Sequence, residues 1–195
     1  MKIALFFGSF NPIHVGHLII ANHIVEHTDV DSVWLVVSPQ NPFKEKNSLL
    51  NEFDRLHLVE LAIQDNDKLK ACNEEFYLPR PSYTIDTLMY LQEKYPSYEF
   101  SLIMGSDNLL NLHKWKNYEL ILQRYPIYIY KRNVSEVNTI SLNGNIQYLE
   151  VPLLDISSTY IRQCIQSKKS IKYLVTPTVE KYILDYNLFK NNSIK

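Results

Sequence analysis

This 195-residue chain is short of glycine: it has four, about 2% against a usual ~7%. That count excludes collagen-like repeats, flexible linkers and glycine-rich arrays. The four, Gly8, Gly16, Gly105 and Gly144, match neither G-x-G-x-x-G nor G-x-x-x-x-G-K-[ST], so a bound phosphate would need another device. Cysteine is scarcer still. Cys72 and Cys164 make no disulfide framework and no CxxC site, and two buried, inert thiols in a reducing cytoplasm are expected. No apolar run approaches the ~18 residues that span a bilayer. The five apolar residues 3–7 after Lys2 are too few for a signal peptide. An excess of one charge is also lacking: 20 Lys and Arg against 21 Asp and Glu leave a net charge of -1, without the basic footprint of a nucleic-acid binder. Small-molecule partners are expected, with no nucleic acid and no membrane.

What is present is an ordinary globular balance, 46% hydrophobic and 21% charged, with length for one sizeable core. Short apolar runs bounded by turn residues alternate with segments of helical period, which predicts an α/β fold with a mainly parallel, doubly wound sheet and flanking helices. Strands are expected at residues 3–7, 33–37, 100–104, 126–130 and 146–151. Helices are expected at 17–26, burying Ile20, Ala21, Ile24 and Val25, and around a Phe53, Leu56, Val59, Ile63 face. A third, at 84–93, would bury Ile85, Leu88 and Leu91. Two closing helices are expected at 158–166 and 178–186, the second led in by Pro177. Residues 38–50 and 133–145 read as long loops. One domain, 1–195, is expected, with the C-terminal helices from about 157 packing on the same core.

The first strand runs directly into Gly8-Ser9-Phe10-Asn11-Pro12-Ile13-His14-Val15-Gly16-His17. A strand-to-helix turn of this kind is where open α/β sheets bind nucleotides. Gly8 would let backbone approach a ligand, Asn11-Pro12 sets a rigid turn, and Gly16 permits a tight start to the helix. His17 falls at the helix N-terminus, where N–H groups and the macrodipole favour an anion, and His14 can reach the same ligand. A metal site built on H-x-x-H lacks a local Cys, Asp or Glu to complete it. Ser9 as a nucleophile lacks the G-x-S-x-G context. The string resembles the H-x-G-H nucleotidyltransferases, whose motif G-x-F-x-P-x-H-x-G-H is filled here at all six fixed positions. The resemblance implies a Rossmann-like fold in which the two histidines, charged or as N–H donors, bind the triphosphate and stabilise the α-phosphate as pyrophosphate leaves. Gly8, Ser9, Phe10 and Gly16 would lie against ATP. Class I aminoacyl-tRNA synthetases share H-x-G-H, but no KMSKS-like string is present.

Late in the chain stands Ile156-Ser157-Ser158-Thr159-Tyr160-Ile161-Arg162. By itself this reads as a capped helix with a surface arginine. It matches the family's I-S-S-T-x-x-R residue for residue, and the resemblance implies that Ile156, Ser157, Ser158, Thr159 and Arg162 hold the β- and γ-phosphates. Other strings bear on the second substrate, each with an ordinary explanation beside it. Lys44, in the loop at 38–50, could close over phosphates or be a solvated lysine. Tyr83 and Thr84 stand at a helix start, where capping by Thr84 would suffice. Gly105 and Asp107 follow the strand at 100–104, where a carboxylate can take ribose hydroxyls or cap a helix. Trp115 offers a flat face or a core ring, and Lys131 and Arg132 a phosphate grip or surface charge.

Together these strings resemble the bacterial nicotinate-mononucleotide adenylyltransferase branch, over nearly the whole chain. The resemblance implies transfer of the adenylyl group of ATP to nicotinate mononucleotide. Tyr83, Thr84, Trp115, Lys116 and Arg132 would bind the acceptor, and Gly105 and Asp107 the adenosine half. It also implies Mg²⁺ carried on the ATP phosphates, with no protein metal ligand named. Phe7 stands where many members have a second glycine, Asn11 where aspartate is frequent, and Lys116 where tyrosine is frequent. A cation at 116 would favour the nicotinate carboxylate over the amide. The runner-up is pantetheine-phosphate adenylyltransferase, then a cytidylyltransferase, and outside enzymes a nucleotide-sensing module. A homo-oligomer stays open.

Overall fold

The computed structural model describes residues 1–39, 49–131, 143–152 and 154–190. Its centre is a six-stranded sheet in the order β3-β2-β1-β4-β5-β6, every neighbouring pair parallel. The strands are β1 (Lys2–Gly8), β2 (Ser32–Val37), β3 (Leu69–Cys72), β4 (Glu99–Gly105), β5 (Ile127–Tyr130) and β6 (Ile146–Leu149). The helices are α1 (Val15–His27), α2 (Glu52–Ile63), α3 (Thr84–Lys94), α4 (Ser106–Leu110), α5 (Tyr118–Arg124), α6 (Ser158–Gln166) and α7 (Pro177–Asp185). This is the doubly wound, Rossmann-like arrangement, and its strand order reverses between β1 and β4.

The period-two alternation of a strand sorts the core into two layers. Ala4 and Phe6 of β1 pack with Val33, Leu35 and Val37 of β2 against α1, α2, α6 and α7. Ile3 and Leu5 face the opposite way, with Trp34 and Val36, toward α3, α4 and α5. Strands buried on both faces need continuous apolar runs, which is why β2 reads Ser-Val-Trp-Leu-Val-Val and is buried at all six positions. Ile161, Cys164 and Ile165 of α6, and Val179 and Ile183 of α7, join the same cluster as α1.

The expected α1 and α3 faces are buried as the periodicity predicts. The face expected for α2 is rotated. Phe53 is 60% exposed, with its ring edge-on to Phe76, and the buried stripe is Arg55, Leu58, Val59, Ala62 and Ile63. An arginine holds the leading place of that stripe, so the apolar pattern alone pointed to the wrong phase. β3 escapes sequence reading because Leu69-Lys70-Ala71-Cys72 has no β-branched or aromatic residue, and its exposed Lys70 lies over the Trp34 ring. α4 and α5, of five and seven residues, are too short for a periodic signal. Both cysteines are free and buried, and burial pushes the Cys72 thiol up to about 11. Most of both expected long loops lies outside the described residues. Among the described residues no helix is long and apolar enough to cross a membrane.

Candidate active site

β1 ends at Gly8 and β4 at Gly105, so two of the four glycines close the adjacent central strands where the strand order reverses. Neither faces open space. A Cβ at residue 8 would lie 2.7 Å from the Phe10 ring, and one at 105 would strike the Asp107 carboxylate. Gly16 leaves room for the His14 ring, 3.1 Å from where its Cβ would be. Each of these glycines is approached closely by a side chain of the protein itself, Phe10, Asp107 or His14. Phe10 itself adopts a left-handed φ of 44°, which folds the turn back over β1. The Asn11–Pro12 bond is cis.

The two histidines meet. Their rings stack at a centroid distance of 3.7 Å, with His14 at the N-cap of α1 and His17 three residues into it. The His14 backbone N–H donates to Nδ1 of His17 at 3.3 Å, which leaves Nε2 as the N–H donor of a neutral His17. Two imidazolium ions this close would repel by about 4 kcal/mol at an effective dielectric of 20. Before an anion arrives, the expected positive charge therefore suits at most one of the rings. Phe10 stands edge-on to His17 at 5.1 Å and Phe6 at 6.0 Å, and Tyr130 closes on Phe6 at 6.1 Å, an aromatic frame that fixes the ring plane. The frame partners Phe6 and Tyr130 carried no motif signal. The first-turn N–H groups of α1 are already engaged in part, Val15 with the Leu174 carbonyl and His17 with that of His14.

The late motif docks onto the first. Arg162 Nη1 donates to the Asn11 carbonyl at 2.8 Å, and the Ser158 hydroxyl to the Pro12 carbonyl at 2.8 Å, across about 150 residues of chain. Arg162 Nη2 also donates to the Thr159 hydroxyl at 3.2 Å. Ser157 is the N-cap of α6 and accepts from the Tyr160 N–H at 3.2 Å. Burial lowers the pKa of the Arg162 guanidinium, yet no carboxylate pairs with it among the described residues. Ile156 packs half-buried beside the same core. Asn11 supplies Oδ1 to the Leu50 N–H at 3.1 Å, an acceptor that aspartate would offer equally.

A second group forms beside α3 and α5. Tyr83, not Thr84, is the N-cap of α3, and no side chain caps that helix, so capping does not account for Thr84. Gly105 likewise occupies the N-cap of α4, with Asp107 inside its first turn. Lys116 Nζ lies 5.0 Å over the Tyr83 ring and is gripped by both Asp86 oxygens at 2.9 and 2.8 Å. The charge expected to attract a carboxylate ligand is thus already matched by Asp86. Trp115 is half-buried against the lower core layer, close in sequence to Lys116. Lys44 and Arg132 lie outside the described residues. Among the described residues no three His, Cys, Asp or Glu side chains come together to hold a metal ion.

Two charged residues that the motifs do not name are buried beside these groups. Arg55 is fully buried, and burial lowers its pKa to about 10, against the pull of nearby Glu52. Glu75, in the 3-10 turn Glu74–Tyr77, accepts from the Thr87 and Ser82 hydroxyls at 2.8 and 3.0 Å. Arg55 gave no signal in the sequence, because it lies off the apolar face expected for α2. Glu75 carried none either.

A family model, cytidylyltransferase-like, matches residues 5–164. The probable nicotinate-nucleotide adenylyltransferase of Flavobacterium psychrophilum is 55% identical over 97% of this chain and 100% of its own length. That of Cytophaga hutchinsonii is 53% identical over 98% of this chain and 100% of its own. The Plasmodium falciparum nicotinic acid mononucleotide adenylyltransferase complexed with NaAD has the same fold, with a TM-score of 0.80 over 96% of this chain and 97% of that one, at 22% identity. With the H-x-G-H turn and the late serine–arginine motif docked together, and with full-length relatives at this identity, the chain belongs to the cytidylyltransferase-like family, in its nicotinate-nucleotide adenylyltransferase branch.

Proposed function

We infer that the protein transfers the adenylyl group of ATP to nicotinate mononucleotide, giving deamido-NAD and pyrophosphate as a step in NAD biosynthesis. The observation that supports the site assignment best is the pair of 2.8 Å hydrogen bonds joining Arg162 and Ser158 to the Asn11–Pro12 turn, which dock the late motif onto the turn that carries the two histidines. ATP enters as its Mg²⁺ complex, the ion riding on phosphates and water. A phosphate oxygen of the acceptor attacks the α-phosphorus, a P–O–P bond forms, and the α–β bond breaks with its electron pair leaving on pyrophosphate. The acceptor phosphate, with a second pKa of about 6, is already largely anionic at neutral pH, so the reaction calls for no general base.

The chain supplies placement and charge. His17 donates from Nε2 and His14 from the adjoining ring to the oxygens that gain charge. Arg162, with Ser157, Ser158, Thr159 and Ile156 at the start of α6, holds the β- and γ-phosphates, and Lys44 closes over them. Gly8, Ser9, Phe10 and Gly16 line the turn, while Gly105 and Asp107 take the adenosine half. Tyr83, Thr84, Trp115, Lys116 and Arg132 receive nicotinate mononucleotide. Residues 1–195 act as one domain, and the free thiols suit the cytoplasm. The test is pyrophosphate release from ATP and Mg²⁺ with nicotinate mononucleotide, nicotinamide mononucleotide or 4′-phosphopantetheine, separately. Fastest release with the first is expected. Fastest release with the third would move the protein to the pantetheine branch, and ATP binding without release would make it a sensor.

A further inference from the structure

Among the described residues no carboxylate lies within ion-pair distance of the buried Arg55. Its Nη1 donates to the carbonyls of Ser9 at 2.6 Å and Ser38 at 2.8 Å, its Nε to that of Leu50 at 3.0 Å, and its Nη2 to that of Pro39 at 3.3 Å. These carbonyls belong to three separate segments: the turn after β1, the end of β2, and the approach to α2. A methionine or leucine would fill the same place in the stripe of α2 at less desolvation cost, so stability alone gives little reason for a guanidinium here. What the guanidinium adds is a planar fork that fixes main chain from three directions.

Glu75 is its counterpart in the other half. It is 2% exposed and has no cationic partner at hydrogen-bond distance among the described residues. Besides Ser82 and Thr87, the Ser38 side chain is near enough to act on its carboxyl, favouring the ionised form. Burial raises its pKa while the three hydroxyls oppose the rise. Ser82 and Thr87 bracket Tyr83 and Thr84, so the carboxylate sets where the start of α3 sits. Ser38 joins the halves: its N–H donates to the Gly8 carbonyl at 2.9 Å, its carbonyl accepts from Arg55 at 2.8 Å, and its side chain lies near enough to Glu75 to favour the ionised carboxyl.

We propose that Arg55, Ser38 and Glu75 form a buried network that holds the nucleotide-donor turn and the acceptor-side start of α3 in fixed relation, with Arg55 a positioning residue for ATP and Glu75 one for the acceptor. The proposal rests on the adenylyl-transfer reading for the identity of the two half-sites. The network predicts opposite kinetic signatures from its two ends. Arg55→Lys keeps the charge and loses the fork, and raises the KM for ATP about tenfold while the KM for nicotinate mononucleotide stays within about twofold. Glu75→Gln keeps shape and loses charge, and does the reverse.

The experiment measures both KM values and kcat for each variant, melting temperatures for folding, and calorimetric binding of a non-hydrolysable ATP analogue. Thr87→Val, isosteric and one bond short, repeats the Glu75→Gln split in weaker form and serves if Glu75→Gln does not fold. KM values that rise together, or a lowered melting temperature with unchanged KM values, overturn the network. Analogue affinity that Arg55→Lys leaves unchanged overturns the donor arm whatever the acceptor proves to be. Failure of the functional reading is separate and shows in the wild-type protein, as no pyrophosphate with nicotinate mononucleotide.

Discussion

The proposed donor and acceptor halves of the site are built on opposite electrostatic plans. Around the turn at residues 8–17, arginines from two distant helices grip main-chain carbonyls: Arg55 holds Ser9, and Arg162 holds Asn11. Beside α3 the charges are a buried carboxylate that collects hydroxyls and an exposed Lys116–Asp86 pair. Guanidinium groups fix loops that lack regular structure and leave positive charge where the triphosphate is proposed to bind. Carboxylate-to-hydroxyl bonds set a helix start and add no cation there, which suits the proposed acceptor, whose N-ribosylated pyridinium ring already carries positive charge. The first half is built for charge and the second for shape.

The sharpest test of this contrast is His17→Ala. If the donor half works by stabilising charge that appears only in the transition state, kcat falls about 10²–10³-fold while ATP affinity changes little. Equal loss in affinity and rate would mean that His17 binds ground-state ATP and that the contrast is misdrawn. Arg162→Met comes next. It removes a phosphate-directed cation together with the Asn11 clamp, so kcat/KM is expected to fall about 10²-fold. Arg162→Lys, which restores charge without the two-point geometry, should recover only part of that loss in steady-state assays.

Glu75→Gln tests the acceptor half through pH. Because burial raises the carboxyl above its usual 4.5, the native protein keeps a proton there that the unfolded chain releases as pH climbs. The stability contributed by this group therefore falls with rising pH from about 4.5 upward. The variant lacks this decline, so its melting temperature relative to wild type should climb between pH 4 and 7. A flat or falling difference would show that the hydroxyls outweigh burial, and that Glu75 is an ordinary stabilised carboxylate.

The same contrast explains which parts were legible in the sequence. The proposed donor half shows itself because its candidate phosphate-binding groups lie in two compact strings, Gly8 to His17 and Ile156 to Arg162, whose spacing is set by strand-turn-helix geometry. What joins them does not show: Arg162 reaches a main-chain carbonyl, and any residue type could supply that acceptor. The fold was readable from apolar runs in β1, β2, β4 and β5, all buried on both faces, and failed where elements are short, as in α4 and α5, or lack β-branched and aromatic residues, as in β3. The rotated face of α2 has a physical reason. Arg55 is held inside by four carbonyls, a compensation that exists only once three segments have folded around it. Glu75 is hidden for a similar cause, since Ser38, Ser82 and Thr87 converge on it from separate elements.

The smallest expected effect lies at Lys116, and it decides whether the acceptor half is as indifferent to charge as its construction implies. Lys116 and Asp86 are both nearly half exposed, 44% and 43%, so their pairing contributes only about 0.2–1 kcal/mol and a ligand carboxylate can compete with Asp86 for the ammonium. Removing the lysine should therefore lower the preference for the nicotinate over the nicotinamide mononucleotide by no more than about fivefold. Asp86→Asn should move the same ratio upward, because it releases the lysine to the ligand while leaving its cation over Tyr83. Both ratios are read as kcat/KM for the acid against the amide at low ionic strength, where screening is least. A tenfold or larger collapse in Lys116→Ala would place charge recognition in the acceptor half as well. No change in either variant would leave acid selection to groups other than this pair.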